Sequence, residues 1–142
     1  MSQENVELWR EMLEEILAGS GEADWERWLT RVSKIVAPTI EWDASEVPVP
    51  GLTGVYRGRE AVVRWWREWL AAWETVEFEY DLVDAGDDVV LLLDQRMRGR
   101  STGIEVELGK YAQLATFKDG LIVRYKIFAS QSKALAAAGL GE

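Results

Sequence analysis

The sequence predicts an α+β fold in which three N-terminal helices pack into a strongly curved, cone-shaped antiparallel sheet. Two observations support this prediction. In the first half, apolar residues recur every three or four positions in three segments, as they do in amphipathic helices. In the second half, apolar and charged residues alternate, as they do in strands with one buried face. The 142 residues suit one domain, and we expect a single domain over residues 1–142.

The helical pattern marks three segments, at about residues 4–18, 23–36 and 58–73. Gly19-Ser20-Gly21 is expected to end the first helix, and Pro38 follows the second. Trp65 lies beside the apolar stripe of the third helix, so we expect it to be lateral or exposed. A fourth helix is predicted at residues 132–138, before Gly139.

The alternating pattern marks the strands, at residues 39–43, 55–56, 76–82, 89–98, 104–108, 111–117 and 121–128. The segment SEVPVPGLTG at 45–54 contains two of the three prolines and predicts a surface loop at the mouth of a pocket. Leu108 and Tyr111 share a face only if one extra residue is accommodated. Gly109-Lys110 therefore predicts a β-bulge that aims Tyr111 and Gln113 inward.

The last two strands are expected to form the central hairpin of the sheet. Asp119-Gly120 between them is among the strongest short-range signals for a tight turn. Both strands are apolar at nearly every position, so both faces of the hairpin are expected to be covered. The helices cover one face. A second copy of the chain is expected on the other, which predicts a homodimer.

The composition excludes several kinds of chemistry. There is no cysteine and no histidine, so disulfides and thiolate metal sites are excluded, and the commonest general base and metal ligand are missing. We expect no cofactor and no metal, although a site built from carboxylates alone stays open. Eight tryptophans in so short a chain favour a cavity walled by large flat side chains.

The charge bears on partners and location. Sixteen basic and twenty-five acidic residues give a formal net charge of −9, which disfavours nucleic acid and anionic membranes as partners. A small neutral or cationic ligand is more compatible with this charge. No apolar run approaches the length of a membrane span, and the N-terminal segment is charged, so we expect a soluble cytoplasmic protein.

A resemblance to a known family is carried by four segments, which in chain order are GVYRGREAVVRWWREW, DAGDDVVLLLDQRMRG, YAQLATFKDGLIVRYKIF and ALAAAGL. They resemble the SnoaL-like branch of the nuclear transport factor 2-like superfamily, and the resemblance covers nearly the whole chain. It implies a cone whose concave face holds a ligand-sized pocket, and frequently a dimer through the outer face of the sheet. Members include steroid isomerases, polyketide cyclases, epoxide hydrolases and proteins with no known reaction, so the fold does not determine the function.

The functional positions of the ketosteroid isomerases carry over only in part. By its Thr-aliphatic-Glu lead-in, their general base falls on Trp42, with Asp43 one step further on. A one-residue step reverses the face of a strand, so Asp43 points inward only if the chain bulges there. Their oxyanion-hole acid corresponds to Gln113, whose amide can still donate. Their two tyrosines fall near Met12 and Trp66, which have no hydroxyl.

Other members of the superfamily fit less well. SnoaL-type cyclases commonly place a histidine at the position of Gln113 and an aspartate near Ser130, and this chain lacks that pair. Limonene epoxide hydrolases use a carboxylate pair bridged by arginine, for which Asp94-Gln95-Arg96 is the nearest arrangement. The strand period turns Asp94 and Arg96 away from the pocket, so we reject that mechanism.

We therefore expect a small-molecule-binding protein with a mostly apolar, tryptophan-lined pocket and a small apolar organic ligand. If it is an enzyme, the reaction is cofactor-free isomerisation, cyclisation or hydration of an apolar carbonyl compound, with Asp43 as base and Gln113 and Tyr111 as donors. The alternative is a non-catalytic binding or scaffold dimer, in which Gln113 is a core amide paired with the backbone, with Tyr111 or with Gln95. The candidate ligand contacts are Met12, Trp42, Tyr56, Trp66, Trp69, Gln95, Met97 and Tyr125.

Overall fold

The computed structural model describes residues 2–18, 22–47 and 51–140. In chain order the elements are α1 (Ser2–Ala18), α2 (Glu22–Ile35), β1 (Val36–Asp43), β2 (Val55–Arg57), α3 (Arg59–Ala72), β3 (Trp73–Ala85), β4 (Asp88–Gly99), β5 (Glu105–Lys118), β6 (Leu121–Phe128) and α4 (Gln131–Ala137). The α+β class and the order of its elements are confirmed. The predicted helix end at Gly19-Ser20-Gly21 lies outside the described residues. None of the helices in the described ranges is long and apolar enough to cross a membrane.

The strands form one curved, unclosed sheet in the order β2-β1-β6-β5-β4-β3. The hairpin of β5 and β6 lies at its centre, as predicted. Neighbouring strands are antiparallel except β1 and β6, which run parallel. The prediction of a wholly antiparallel sheet is therefore wrong. Tight turns impose an antiparallel direction only on consecutive strands, and most of the chain separates β1 from β6.

A β-bulge in β5 redirects the residues that follow it. The residues on either side of Leu108 pair with β4, whereas Leu108 is an extra residue in the register. The next residue, Gly109, has a φ of 68°, in the left-handed region that glycine adopts with little strain. The predicted bulge is thus confirmed, one position before Gly109-Lys110. Beyond it, Tyr111 and Gln113 lie buried on the inner face of the sheet.

The main core lies between the inner face of the sheet and the first three helices. Its largest fully buried side chains include Trp42, Tyr125 and Met12. Trp65 is also part of this core, with only 3% of its surface exposed, so the expectation that it is lateral or exposed is wrong. The loop between β1 and β2 contacts it, and the Trp65 indole N–H donates to the carbonyl oxygen of Leu52 in this loop at 2.9 Å.

The C-terminal helix covers part of the outer face of the central hairpin. On this side a second, smaller apolar cluster contains the residues Val90, Ala112, Leu114, Phe128 and Ala134. Ala134 belongs to α4 and is fully buried, so the chain itself covers apolar surface that we had assigned to a second subunit. Further along the outer face, the cross-strand neighbours Glu77, Arg96 and Glu107 are charged and exposed. Homodimer formation stays a prediction, with less unpartnered apolar surface to support it.

Candidate functional site

A cavity of about 120 Å³ lies between the helices and the inner face of the sheet. Its helical wall includes five tryptophans from α1, α2 and α3: Trp9, Trp28, Trp65, Trp66 and Trp69. The strand wall is mostly apolar and contributes three polar side chains: Gln95, Tyr111 and Gln113. Two further lining residues, Glu46 and Val47, follow β1. The cavity is therefore an aromatic chamber with a few polar groups on its wall.

The polar side chains of the sheet form one hydrogen-bonded row. The Tyr125 hydroxyl donates to Gln113 Oε1, and Gln113 Nε2 donates to the Tyr111 hydroxyl at 3.4 Å. The Tyr111 hydroxyl in turn donates to Gln95 Oε1, and Gln95 Nε2 lies 3.1 Å from Met97 Sδ as a donor. These contacts meet the requirement that buried polar groups be paired. Gln113 is therefore paired with Tyr111, as the core-amide interpretation predicts, and it also borders the cavity.

Both tyrosines of the row are neutral near physiological pH. Burial raises the pKa of Tyr111 and raises the pKa of Tyr125 well above the ordinary value, because a buried phenolate loses its hydration. The nearby Tyr111 raises the pKa of Tyr125 further. Trp9, whose ring lies beside Tyr125, lowers this pKa and offsets the two effects only in part. At that pH the two hydroxyls are therefore neutral, and each donates a hydrogen bond to a glutamine amide oxygen.

Asp43 lies on the face of the sheet opposite to the cavity. Trp42 stacks on Tyr125 inside the core, with ring centroids 4.1 Å apart, and the next side chain along β1 points outward. There Asp43 accepts hydrogen bonds from the backbone N–H and hydroxyl of Ser45, at 3.0 and 2.6 Å, and lies 3.6 Å from Lys126 Nζ. The prediction of Asp43 as a base facing the pocket is therefore wrong, because no bulge turns it inward.

The surroundings of Asp43 also make it a weak base. Partial burial raises its pKa, but the two hydrogen bonds from Ser45 and the charge of Lys126 outweigh that effect and hold the pKa below its ordinary value. Asp94 and Arg96 are exposed and do not line the cavity, which agrees with their predicted outward direction.

The other predicted site residues divide into two groups. Those that line the cavity are Met12, Trp66, Trp69, Gln95, Tyr111 and Gln113. Those that were predicted as ligand contacts but pack behind its wall are Trp42, Tyr56, Met97 and Tyr125. Trp42 and Tyr125 fill the core against each other, and Met97 belongs to the core beside Gln95, whose Nε2 donates to its Sδ. The strand period indicates the inner face, but it does not say which inner residues border empty space.

Glu46 lines the cavity but is not among the site residues predicted from the sequence. It is the only carboxylate in the described cavity lining, and its Oε1 accepts a hydrogen bond from the Ala129 backbone N–H at 2.8 Å. One feature of the sequence could have indicated it. Glu46 is the second residue of the segment 45–54, which was predicted to form a loop at the mouth of a pocket. Within the described ranges, no three carboxylates converge on a possible metal site.

Helices packed against the inner face of a curved, unclosed sheet, with a cluster of aromatic side chains between them, define an α+β fold of the cone-shaped class. The profile of the SnoaL-like domain matches residues 10–125. The chain therefore belongs to the SnoaL-like domain family. No protein in the curated set is similar enough to this chain to count as a relative.

Solved structures agree with this assignment at the level of the fold. A nuclear transport factor 2-like protein of unknown function from Burkholderia pseudomallei superposes with a TM-score of 0.69 at 20% identity, over 93% of this chain and 95% of that one. A nuclear transport factor 2-like protein from Burkholderia thailandensis has a TM-score of 0.64 at 26% identity, over 91% and 95%. A hypothetical protein from Catenulispora acidiphila with a ketosteroid isomerase-like fold, in complex with trimethylamine, has a TM-score of 0.59 at 18% identity, over 79% and 82%.

Proposed function

We propose that this chain binds a small, mostly apolar organic molecule in the cavity between its helices and its sheet. The observation that carries the proposal is the cavity itself, because protein interiors are normally close-packed and leave few voids larger than a water molecule. An engineered apolar cavity of about 150 Å³ binds benzene. A cavity of about 120 Å³ therefore suits a single ring or a compact branched molecule. A steroid would require the walls to move.

The hydrogen-bonded row supports a defined orientation of this ligand. Each glutamine amide has two N–H donors, and the row uses one of them at Gln113 and one at Gln95. A carbonyl, ether or hydroxyl oxygen on the ligand could accept from these groups. Trimethylamine, found with the Catenulispora relative, is also of a size that this cavity could admit.

Tryptophan fluorescence tests the proposal, because five indoles border the cavity. We expect a saturable change with at least one compound of a panel of single-ring ketones, phenols and compact amines, and none with a steroid. Val76→Phe adds volume to the cavity wall and is expected to weaken binding about tenfold or more, since overpacking costs about 1–3 kcal/mol.

Val83→Phe is the matched control for Val76→Phe. Val83 is also half-buried on β3, but it packs against the smaller apolar cluster on the other side of the sheet. Its substitution is expected to leave binding unchanged. Equal effects of the two substitutions, or a flat response of the wild type to the whole panel, would contradict the cavity as the binding site.

A second candidate function is proton transfer on a small carbonyl compound without a cofactor. One observation favours it: a carboxylate, Glu46, shares the cavity lining with the potential donor Gln113, whose amide has a second N–H. Glu46 would remove the proton and the Gln113 amide would stabilise the developing oxyanion. Deuterium exchange next to the carbonyl of a cyclic ketone, followed by NMR, should then exceed the buffer rate and be lost in Glu46→Gln. Exchange at the buffer rate would reject turnover of this kind and leave the binding function in place.

A further inference from the structure

The ionisable groups of the cavity have one sign. Among the described lining residues, Glu46 is the sole side chain that carries a formal charge, and no lysine or arginine is present. The chain as a whole has a net charge of −9. An anionic ligand would therefore enter against the field of the protein and meet no counter-charge on the wall, whereas a cation would be attracted.

The tryptophans present their rings to the cavity at several angles. Trp28 and Trp66 meet at 75° with centroids 5.0 Å apart, and Trp65 and Trp66 meet at 88° and 5.2 Å. Trp42 also packs against Trp65 and Trp66, and Trp65 stacks on Trp69. The aromatic surface left for a ligand is therefore the part of each ring that borders the cavity. Tryptophan is the best aromatic partner for a cation, with about 0.5–2 kcal/mol for each favourable contact.

The Glu46 carboxylate is fixed at the cavity wall by a hydrogen bond to the backbone. Its Oε1 is engaged by the Ala129 backbone N–H at 2.8 Å, which limits the rotation of the carboxylate. Its Oε2 has no hydrogen bond or ion pair with any residue that the structure describes. The side chain is half-buried, so a positive charge beside it would be screened less than at an open surface.

We propose that the cavity recognises a small alkylated ammonium cation, with the tryptophan rings against its methyl groups and Glu46 as its counter-charge. This inference rests on the proposed binding function and names the class of its ligand. Alkylation matters because methyl groups spread the positive charge over apolar surface. Such a cation enters an apolar chamber at a lower desolvation cost than a primary ammonium, which would leave its N–H donors unpaired. The volume of about 120 Å³ suits a trimethylammonium head and a short tail.

Two probes of the same shape separate charge from size. Choline and dimethylbutanol differ in that a quaternary nitrogen in choline replaces a quaternary carbon. Titration calorimetry is expected to show choline binding about tenfold or more tightly, the result of one or two cation–π contacts and the carboxylate. Glu46→Gln keeps the size of the side chain and is expected to remove most of this preference while retaining the affinity for dimethylbutanol. Glu41→Gln, on the outer face beside Arg57, is the control and should change neither affinity.

The outcomes distinguish a failure of the cation inference from a failure of the proposed binding function. Equal affinity for the two probes, or tighter binding of dimethylbutanol, overturns the cation inference and supports the cavity as a neutral binding site. A preference for choline that survives Glu46→Gln overturns the role of Glu46. If neither probe binds but a ring compound from the fluorescence panel does, the cation inference fails alone. If nothing binds, the proposed function fails with it. The comparison of the two probes uses the wild type, so it stands even if Glu46→Gln does not fold.

Discussion

Raising the pH from about 9 to about 11.5 is expected to remove about 4 kcal/mol from the free energy of unfolding. The cause is the pair of buried hydroxyls in the hydrogen-bonded row. In the unfolded chain Tyr111 and Tyr125 ionise near pH 10, whereas burial raises the pKa of both in the folded state. Above pH 10 the unfolded state therefore releases protons that the folded state retains, and stability falls as pH rises. Each tyrosine contributes about 1.4 kcal/mol per pH unit in this range.

Urea titrations at a series of pH values measure this slope, and tyrosinate absorbance shows when the phenols ionise. Tyr125→Phe is the control variant, because it removes one of the two hydroxyls and should halve their contribution to the slope. It also leaves Gln113 Oε1 without its donor, so the variant is expected to be less stable at neutral pH. Ionisation of all four tyrosines near pH 10 in protein that stays folded would contradict the prediction.

Trp42→Ala is expected to cost about 3–5 kcal/mol of stability, the largest loss that we predict for a single substitution. Trp42 has 1% of its surface exposed and stacks on Tyr125, and its ring also contacts Trp65 at 5.3 Å and Trp66 at 5.7 Å between centroids. Its neighbours are large rings fixed on α3 and β6, so they cannot collapse into the space that alanine leaves. Since domains are stable by about 5–15 kcal/mol, the variant would be close to unfolding.

Denaturant unfolding with two further variants tests the reason for this loss. Trp42→Phe retains a ring against Tyr125 and should cost less than half as much. Val55→Ala removes an apolar side chain from the neighbouring strand at a position that is 48% exposed, and should change stability by no more than about 0.5 kcal/mol. A loss below about 1 kcal/mol in Trp42→Ala would mean that the core repacks freely around this position.

The sequence predicted those parts of the fold that depend on local periodicity. The helical stripes and the Asp119-Gly120 turn are properties of short segments, and so is the bulge, since one extra residue before Tyr111 is visible in the spacing of the apolar positions. The parallel pairing of β1 with β6 joins strands that are far apart in the chain, so no pattern within a short segment indicates it. Trp65 was misplaced for the same reason, because Leu52, which contacts it, belongs to a loop without periodicity.

For the candidate site, the sequence could predict only which strand residues point toward the inside of the sheet and which point outward. Alternation places Tyr111 and Gln113 inward, and the same rule places Asp43 outward once Trp42 is inside. The base assigned to Asp43 relied on an irregularity that β1 does not contain at this point. Glu46 could not be found by alternation, because it follows β1 in a loop, and only the three-dimensional path of that loop brings it to the cavity wall.

The contact between Glu46 and Ala129 joins two distant parts of the chain at the cavity, the segment after β1 and the segment between β6 and α4. The Ala129 amide proton is protected from exchange with deuterated solvent while Glu46 accepts its hydrogen bond. Its exchange rate therefore reports how often this contact opens, and it can be measured with or without a ligand. The exchange rate of this single backbone amide, measured by NMR, thus reports the opening of the cavity wall at Glu46. The measurement needs no labelled ligand.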